Sequence, residues 1–384
     1  MKLKFGLISA DSHAQLDRDA FTSRMSKAKW GDRIPQVVEV KDDRSVNPVE
    51  RWMVHGKIRG NYVANCPAVM ERGETKCYPQ RWEEVPPKVF DPLERLKALD
   101  EDGVDGEVLF PNPPVQNFSF LQGDGAFELA CVRAYNDALA EWRAASDRYV
   151  PLALVPYLSG VETALAEVER AVKKGHGGIA LLSEPSALAK GTYHFNDPAW
   201  YPLWGLCEAL GIPIHIHESG GLATKISFPR WSGYSHNQFH SMLTVPTGAF
   251  PAESIPNLIF SGILDRFPRL KWVSAETGVG WVNYVMEGCD HEWERRRLWT
   301  EGILTRPSEL FKRQIYVNFW FEKLGAEERH RISMDNIMWE SDYPHTASTY
   351  PRSWKFVEET LKGVSEDLRR RLLCENAIRL YRFA

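Results

Sequence analysis

Eight short apolar runs, set apart by longer amphipathic stretches, constrain this 384-residue chain more than any other feature. The runs cover residues 4–10, 104–110, 150–155, 178–182, 212–217, 271–275, 315–319 and 337–339. They are rich in Val, Ile and Leu and mostly lack polar alternation, which is the pattern of strands buried on both faces. Helical periodicity fills most of the gaps, at 127–146, 162–174, 200–210, 281–299 and 352–361. Alternating strands and helices predict an α/β protein, and eight of them predict a (β/α)8 TIM barrel. A doubly wound open sheet is the alternative, and eight strands would be large for it. Residues 20–90, between strands 1 and 2, are polar, Trp-rich and broken by Pro and Gly. They are too long for a plain loop and predict an insertion capping the barrel mouth. Residues 218–256 predict a long loop near the site, and 255–267 the helix before the sixth strand. No interdomain linker interrupts residues 1–384, so one barrel domain is expected.

A barrel enzyme carries its chemistry at the carboxyl ends of its strands. The first run is followed by Asp11-Ser12-His13. Residues two apart in extended backbone point the same way, so this carboxylate and imidazole form half a divalent-metal site, or else a turn Asp beside a surface His. The fifth run ends His215-Ile216-His217, with both imidazoles on the face opposite the isoleucines. Two histidines in a buried strand need hydrogen-bond partners or a metal. His217, nearer the end, is the stronger ligand candidate, and His215 is an outer-layer candidate. Glu276 closes the sixth run as a ligand or as a cap for the next helix. Asp342 follows the eighth, where it can bind metal and take a proton from metal-bound water. Glu184, after the fourth run, fits a metal or a solvent-facing loop. Trp30, Trp52, Tyr62 and Trp82 of the insertion either line an aromatic substrate pocket or pack it onto the barrel.

Other chemistries lack their motifs. There is no Walker A sequence, no GxGxxG after a strand, no GxSxG elbow and no HExxH helix. Ser219-Gly220-Gly221 reads as a flexible turn. The six cysteines are scattered without a CxxC pair, which predicts free thiols. Lys plus Arg total 47 against 51 Asp plus Glu, a net charge of −4 that argues against a nucleic-acid partner. No apolar run approaches the length of a membrane span, and the mean hydropathy is −0.37. A cytoplasmic protein with a small-molecule substrate and no membrane partner is expected.

These residues resemble the amidohydrolase superfamily, within it the group of aminocarboxymuconate-semialdehyde decarboxylase and related aromatic-acid decarboxylases. The resemblance lies in Ile8–His13, Gly211–His217, Phe267–Trp281 and Ser341-Asp342-Tyr343-Pro344-His345, with 91–110 as the approach to strand 2. It implies a distorted (β/α)8 barrel with a metal at the carboxyl-terminal face. It assigns Asp11 and His13 to the first-strand ligand pair, His217 to the strand-five ligand, and Asp342 to the aspartate that binds metal and handles a proton. Many members carry His-x-His or Glu-x-His where this chain has Asp11-Ser12-His13, and a His where it has Glu276. Glu276 is then a direct ligand or yields that role to His291; His345 is a further alternative ligand. No strand-four lysine is present for a bridging carbamate, and Glu184 is the only replacement there.

The ligand set predicts one Zn, Mn or Fe per chain, with a dinuclear site as the alternative. The leading expectation is a metal-dependent hydrolase in which Asp342 and His217 act on a metal-activated water. The second is a non-oxidative decarboxylase of an aromatic or unsaturated acid. The third is a catalytically silent barrel with a binding role. A homodimer is expected, as the commonest closed oligomer.

Overall fold

The computed structural model describes residues 1–41, 47–72, 75–115, 124–182, 185–188, 191–217, 238, 251–324 and 333–383. Eight parallel strands form one sheet in sequence order: β1 (Ile8–Ala14), β2 (Gly106–Pro111), β3 (Tyr149–Leu154), β4 (Gly178–Leu181), β5 (Ile214–His217), β6 (Trp272–Ala275), β7 (Ile315–Phe319) and β8 (Ile337–Trp339). The sheet meets itself between β8 and β1. His13 donates its backbone N–H to Tyr343 O at 2.7 Å, and Asp342 donates its own to Asp11 O at 3.0 Å. Serine hydroxyls sew the same seam. Ser341 N–H donates to Ser9 Oγ at 2.9 Å, Ser9 Oγ donates to Asp11 O at 2.7 Å, and Ser12 Oγ lies 3.1 Å from Ser341 Oγ.

Helices cover the outside: α1 (Pro92–Asp102), α2 (Gly125–Ala145), α3 (Val161–Lys173), α4 (Tyr201–Leu210), α5 (Pro251–Phe260), α6 (Val282–Arg296), α7 (Pro307–Gln314), α8 (Ser353–Thr360) and α9 (Asn376–Tyr381). Each turns an apolar stripe onto the strands. In α3 that stripe includes Ala164, Val168 and Ala171. Among the described residues no helix is long and apolar enough to cross a membrane, and all six cysteines are free.

Two element boundaries differ from the sequence expectation. The first strand begins at Ile8, not at residue 4. The backbone N–H groups of Lys4, Phe5 and Gly6 converge on the Asp105 carboxylate at 2.6–3.1 Å, so these residues wrap a side chain and do not join the sheet. That shift places Asp11 and His13 inside β1, not beyond its end. The helix expected at 255–267 begins at Pro251 and stops at Phe260. Gly262, at φ +77°, breaks it before a single turn at Ile263–Arg266.

The insertion is built on an antiparallel sheet of Gln36–Val40, Val49–Val54 and Lys57–Arg59. Trp30, Trp52 and Trp82 are buried in packing. Trp52 meets Trp82 and Phe21 edge-on at 6.3 and 6.2 Å, and Trp30 meets Phe127 of α2 at 5.6 Å. Of the two readings for these tryptophans, the structure favours packing. Tyr62 stacks on Tyr78 at 4.5 Å. The insertion reaches the carboxyl end of the barrel: Ala68 N–H donates to Pro344 O at 3.0 Å, and Tyr78 Oη lies 3.1 Å from Thr346 Oγ1.

A buried ion pair anchors α1 to β2. Arg95 binds Glu107 through two hydrogen bonds of 2.8 Å, both side chains are fully buried, and the guanidinium lies 3.8 Å from the Tyr343 ring centroid. Arg95→Met strands a buried carboxylate, so a stability loss of about 3–5 kcal/mol is expected in urea denaturation. A loss below about 1 kcal/mol would show that Glu107 finds water or a proton instead.

Candidate metal centre

The site is assembled from strand ends. Asp11 and His13 project from β1 on the same side, with an irregular β1–β2 register between Ser9 and Ser12. His217 is the last residue of β5, Glu276 follows β6, and Asp342 follows β8. Glu276 and Asp342 both hold left-handed backbone, at φ 53° and 51°. For non-glycine residues this costs on the order of 1–2 kcal/mol each, and such strain concentrates at functional sites.

The side chains converge. His217 Nε2 lies 3.3 Å from both Asp11 Oδ2 and Glu276 Oε2. His13 Nε2 lies 3.5 Å from Asp11 Oδ1 and 3.4 Å from Asp342 Oδ1. Donor atoms of Asp11, His13 and His217 lie within 4.8 Å of one another, and so do those of His13, Asp342 and His345.

The His13 tautomer tests whether a cation fits. Its Nδ1 stands 2.9 Å from Pro111 O, and a carbonyl only accepts, so Nδ1 carries the hydrogen. Burial, then the neighbouring His345, pushes the ring's pKa down to about 3, so it is neutral. Nε2 therefore offers a buried lone pair with no hydrogen-bond partner, facing two carboxylates. Lone pair against oxyanion is repulsive unless a cation lies between them. Neutral imidazoles and carboxylates are the donors that Zn, Mn and Fe take. The residues fit a divalent metal, with Asp11, His13, His217 and Asp342 able to hold it and Glu276 within reach.

His345 belongs to this cluster. Its ring stacks on His13 at 3.8 Å, and its Nδ1 lies 2.9 Å from Asp342 Oδ1. Its Nε2 lies 2.9 Å from Asn112 Oδ1, and Asn112 Nδ2 donates to Asn65 O of the insertion at 3.4 Å. Burial works to raise the Asp342 carboxyl, and the adjacent His345 overrides it, holding Asp342 well below the usual carboxylate range.

Other candidates stand elsewhere. His215 has both nitrogens engaged, Nδ1 3.0 Å from Ile179 O and Nε2 2.8 Å from Tyr381 Oη, so it is a satisfied core histidine and not a ligand. His291 is exposed on α6. The buried face of that helix carries Val282, Val285, Met286 and Cys289, which turns His291 away from the site. Glu184 and most of 218–256 lie outside the described residues.

Sequence reasoning missed Glu340 and Asn112. Glu340 is fully buried, accepts the Glu276 backbone N–H at 3.2 Å, and is held well above the usual carboxylate range by burial and by the Asp11 charge. It stands two residues before Asp342, the same spacing that drew attention to Asp11 and His13. Asn112 carries no comparable local signal.

A closed parallel barrel with buried carboxylates and imidazoles at its strand ends defines the class of metal-binding barrel enzymes. Within it, the chain belongs to the amidohydrolase family: residues 11–383 match the family model described as Amidohydrolase. It is 28% identical over 289 residues to gamma-resorcylate decarboxylase from Rhizobium radiobacter, covering 71% of this chain and 83% of that protein. An amidohydrolase structure from Mycobacterium avium subsp. paratuberculosis matches with a TM-score of 0.75 at 19% identity, covering 99% of this chain and 100% of that one. A dihydroxybenzoic acid decarboxylase from Polaromonas, solved with bound manganese and the inhibitor 2-nitroresorcinol, matches with a TM-score of 0.57 at 22% identity over 78% of this chain and 89% of that one.

The two strand-five histidines separate by metal content. Elemental analysis after dialysis should find about one divalent cation per chain in the wild type. His217→Ala should bind it at least about tenfold more weakly, and His215→Phe should retain it. Equal retention in both variants would remove His217 from the ligand set.

Proposed function

We propose that this protein is a metal-dependent, non-oxidative decarboxylase of an aromatic carboxylic acid. The observation that carries the reading is the 2.9 Å approach of His345 Nδ1 to Asp342 Oδ1, a proton-handling pair fused to the carboxylate and imidazole cluster. Relatives named as decarboxylases support it, so the second sequence expectation gains more support than hydrolysis.

Asp11, His13, His217 and Asp342 would hold the cation, with Glu276 as a fifth donor. A cation held there would supply Lewis-acid charge for an anionic substrate. The protein's own groups manage the proton. Asn112 Oδ1 accepts a hydrogen bond from His345 Nε2–H, so it is in the imidazolium form that a second proton, on Nδ1, is directed at Asp342. Asp342 takes that proton and delivers it to the ring carbon bearing the carboxylate. The new C–H bond uses a ring π pair. The C–C bond to the carboxylate then breaks, its electron pair restores the ring, and carbon dioxide leaves. Asp342 is again ionised, and His345, left neutral, takes up a proton from solvent before the next turnover. Phe110, 4.9 and 5.9 Å from the His217 and His13 rings, keeps both imidazoles in place.

Metal-loaded protein incubated with 2,6-dihydroxybenzoate and related hydroxybenzoates in deuterated water should release carbon dioxide and place one deuterium on the vacated ring carbon. Asp342→Asn should lower kcat by about 10²–10⁴-fold. Cleavage of amides or lactones by the same preparation, with no carbon dioxide from any acid tested, would overturn the proposal in favour of hydrolysis.

A further inference from the structure

A cavity of about 570 Å³ opens at the amino-terminal ends of β5, β6 and β7, on the face of the barrel opposite the metal centre. Its walls combine apolar side chains, including Ile212, Leu270 and Leu380, with cationic ones. The cations set it apart. Arg269 is paired with Glu208, the one acid in the wall, at 3.0 Å. Lys271, Arg379 and Arg382 also line the cavity, and none has a carboxylate partner among the described residues. Lys271 Nζ donates to Arg313 O at 2.6 Å, and Arg379 donates to Asp335 O at 2.6 Å and Asn376 Oδ1 at 2.9 Å. The Arg382 side chain makes no hydrogen bond among the described residues, and its guanidinium lies against Gly211, whose φ of +66° ends α4.

That concentration runs against the rest of the chain, in which acids outnumber bases and the net charge is −4. Elsewhere adjacent arginines are neutralised: Arg369, Arg370 and Arg371 reach Glu358, Asp367 and Asp335. In the cavity three cations share one concave surface with no carboxylate paired to them among the described residues. Burial, then Arg313 and Arg379, pushes the Lys271 ammonium below its usual pKa, as expected where positive charge is in excess. Part of the Arg382 charge faces the carbonyl end of α4, which accounts for one cation and not for three.

We propose that this cavity is a binding site for a small organic oxyanion, a carboxylate or phosphate ester. Its head group sits among Lys271, Arg379 and Arg382, and its apolar part lies on Ile212, Leu270 and Leu380. Arginine forks and a lysine point charge together suit a planar carboxylate or a phosphate. The volume suits a ligand of metabolite size.

Calorimetric titration of metal-loaded, full-length protein with phenyl phosphate, benzoate and inorganic phosphate in separate runs tests the assignment. The metal centre also attracts anions, so the event of interest is the one that remains after a chelator has removed the cation. Arg382→Gln, which removes no side-chain hydrogen bond among the described residues, should weaken that event about tenfold. Lys271→Met should weaken it comparably, and Arg269→Gln, whose charge Glu208 already neutralises, should leave it within about twofold. Tighter binding of phenyl phosphate selects phosphate esters, and tighter binding of benzoate selects carboxylates. The proposal is overturned if no event in any run responds to Arg382→Gln or Lys271→Met. Binding of inorganic phosphate as tight as that of the tighter aryl ligand would overturn it too, since the apolar wall would then contribute nothing.

Discussion

Negative charge buried in one barrel mouth is the constraint that the rest of the structure accommodates. Asp11, Glu340 and Asp342 are each fully buried, and the Asp11 and Asp342 charges lie close enough to add to the effect of burial on Glu340. Water cannot screen them there, and like charges in a low-dielectric interior repel strongly. The fold answers in two ways. Glu340 is pushed towards its protonated form, which removes one charge. Asp11 and Asp342 face the His13 and His217 nitrogens across distances of 3.3–3.5 Å, spacing that a cation can bridge. His345, held from behind by Asn112, gives Asp342 a partner of its own.

The barrel was legible because fully buried parallel strands leave near-continuous apolar runs, and seven of the eight lie within a few residues of their expected places. The first moved because a distant side chain, Asp105, captures the backbone donors of residues 4–6. No local pattern announces such a capture. The same limit separates His215 from His217. In sequence they are one motif, Ile-His-Ile-His, and what distinguishes them is Tyr381, far along the chain, which satisfies the deeper ring. Glu340 was readable by the alternation rule that found Asp11 and His13. The serine seam and Asn112 join residues from opposite ends of the barrel and were not readable.

The two ends of the barrel have opposite electrostatic character. The carboxyl end gathers acids and imidazoles; the amino end gathers Lys271, Arg379 and Arg382 around a cavity. A net charge of −4 conceals this polarity, because averaging over the chain removes it. The insertion adds to the asymmetry. It joins the acidic end through Asn65, Ala68 and Tyr78, so the segment that interrupts the strand-helix alternation also supports the loops around Asp342.

The seam between β1 and β8 sets the order in which a newly made molecule becomes competent. Asp11 and His13, on β1, leave the ribosome before the other seven strands, and Asp342 only after all of them. Until β8 docks, the Asp11 carbonyl lacks the Asp342 N–H, and the donor cluster lacks one of its carboxylates. A nascent chain therefore carries an open sheet edge and an incomplete donor set throughout most of synthesis, the stage at which unpaired strands invite misassembly. Completion of the donor set and ring closure are therefore one late event, and a chain broken off before residue 342 attains neither.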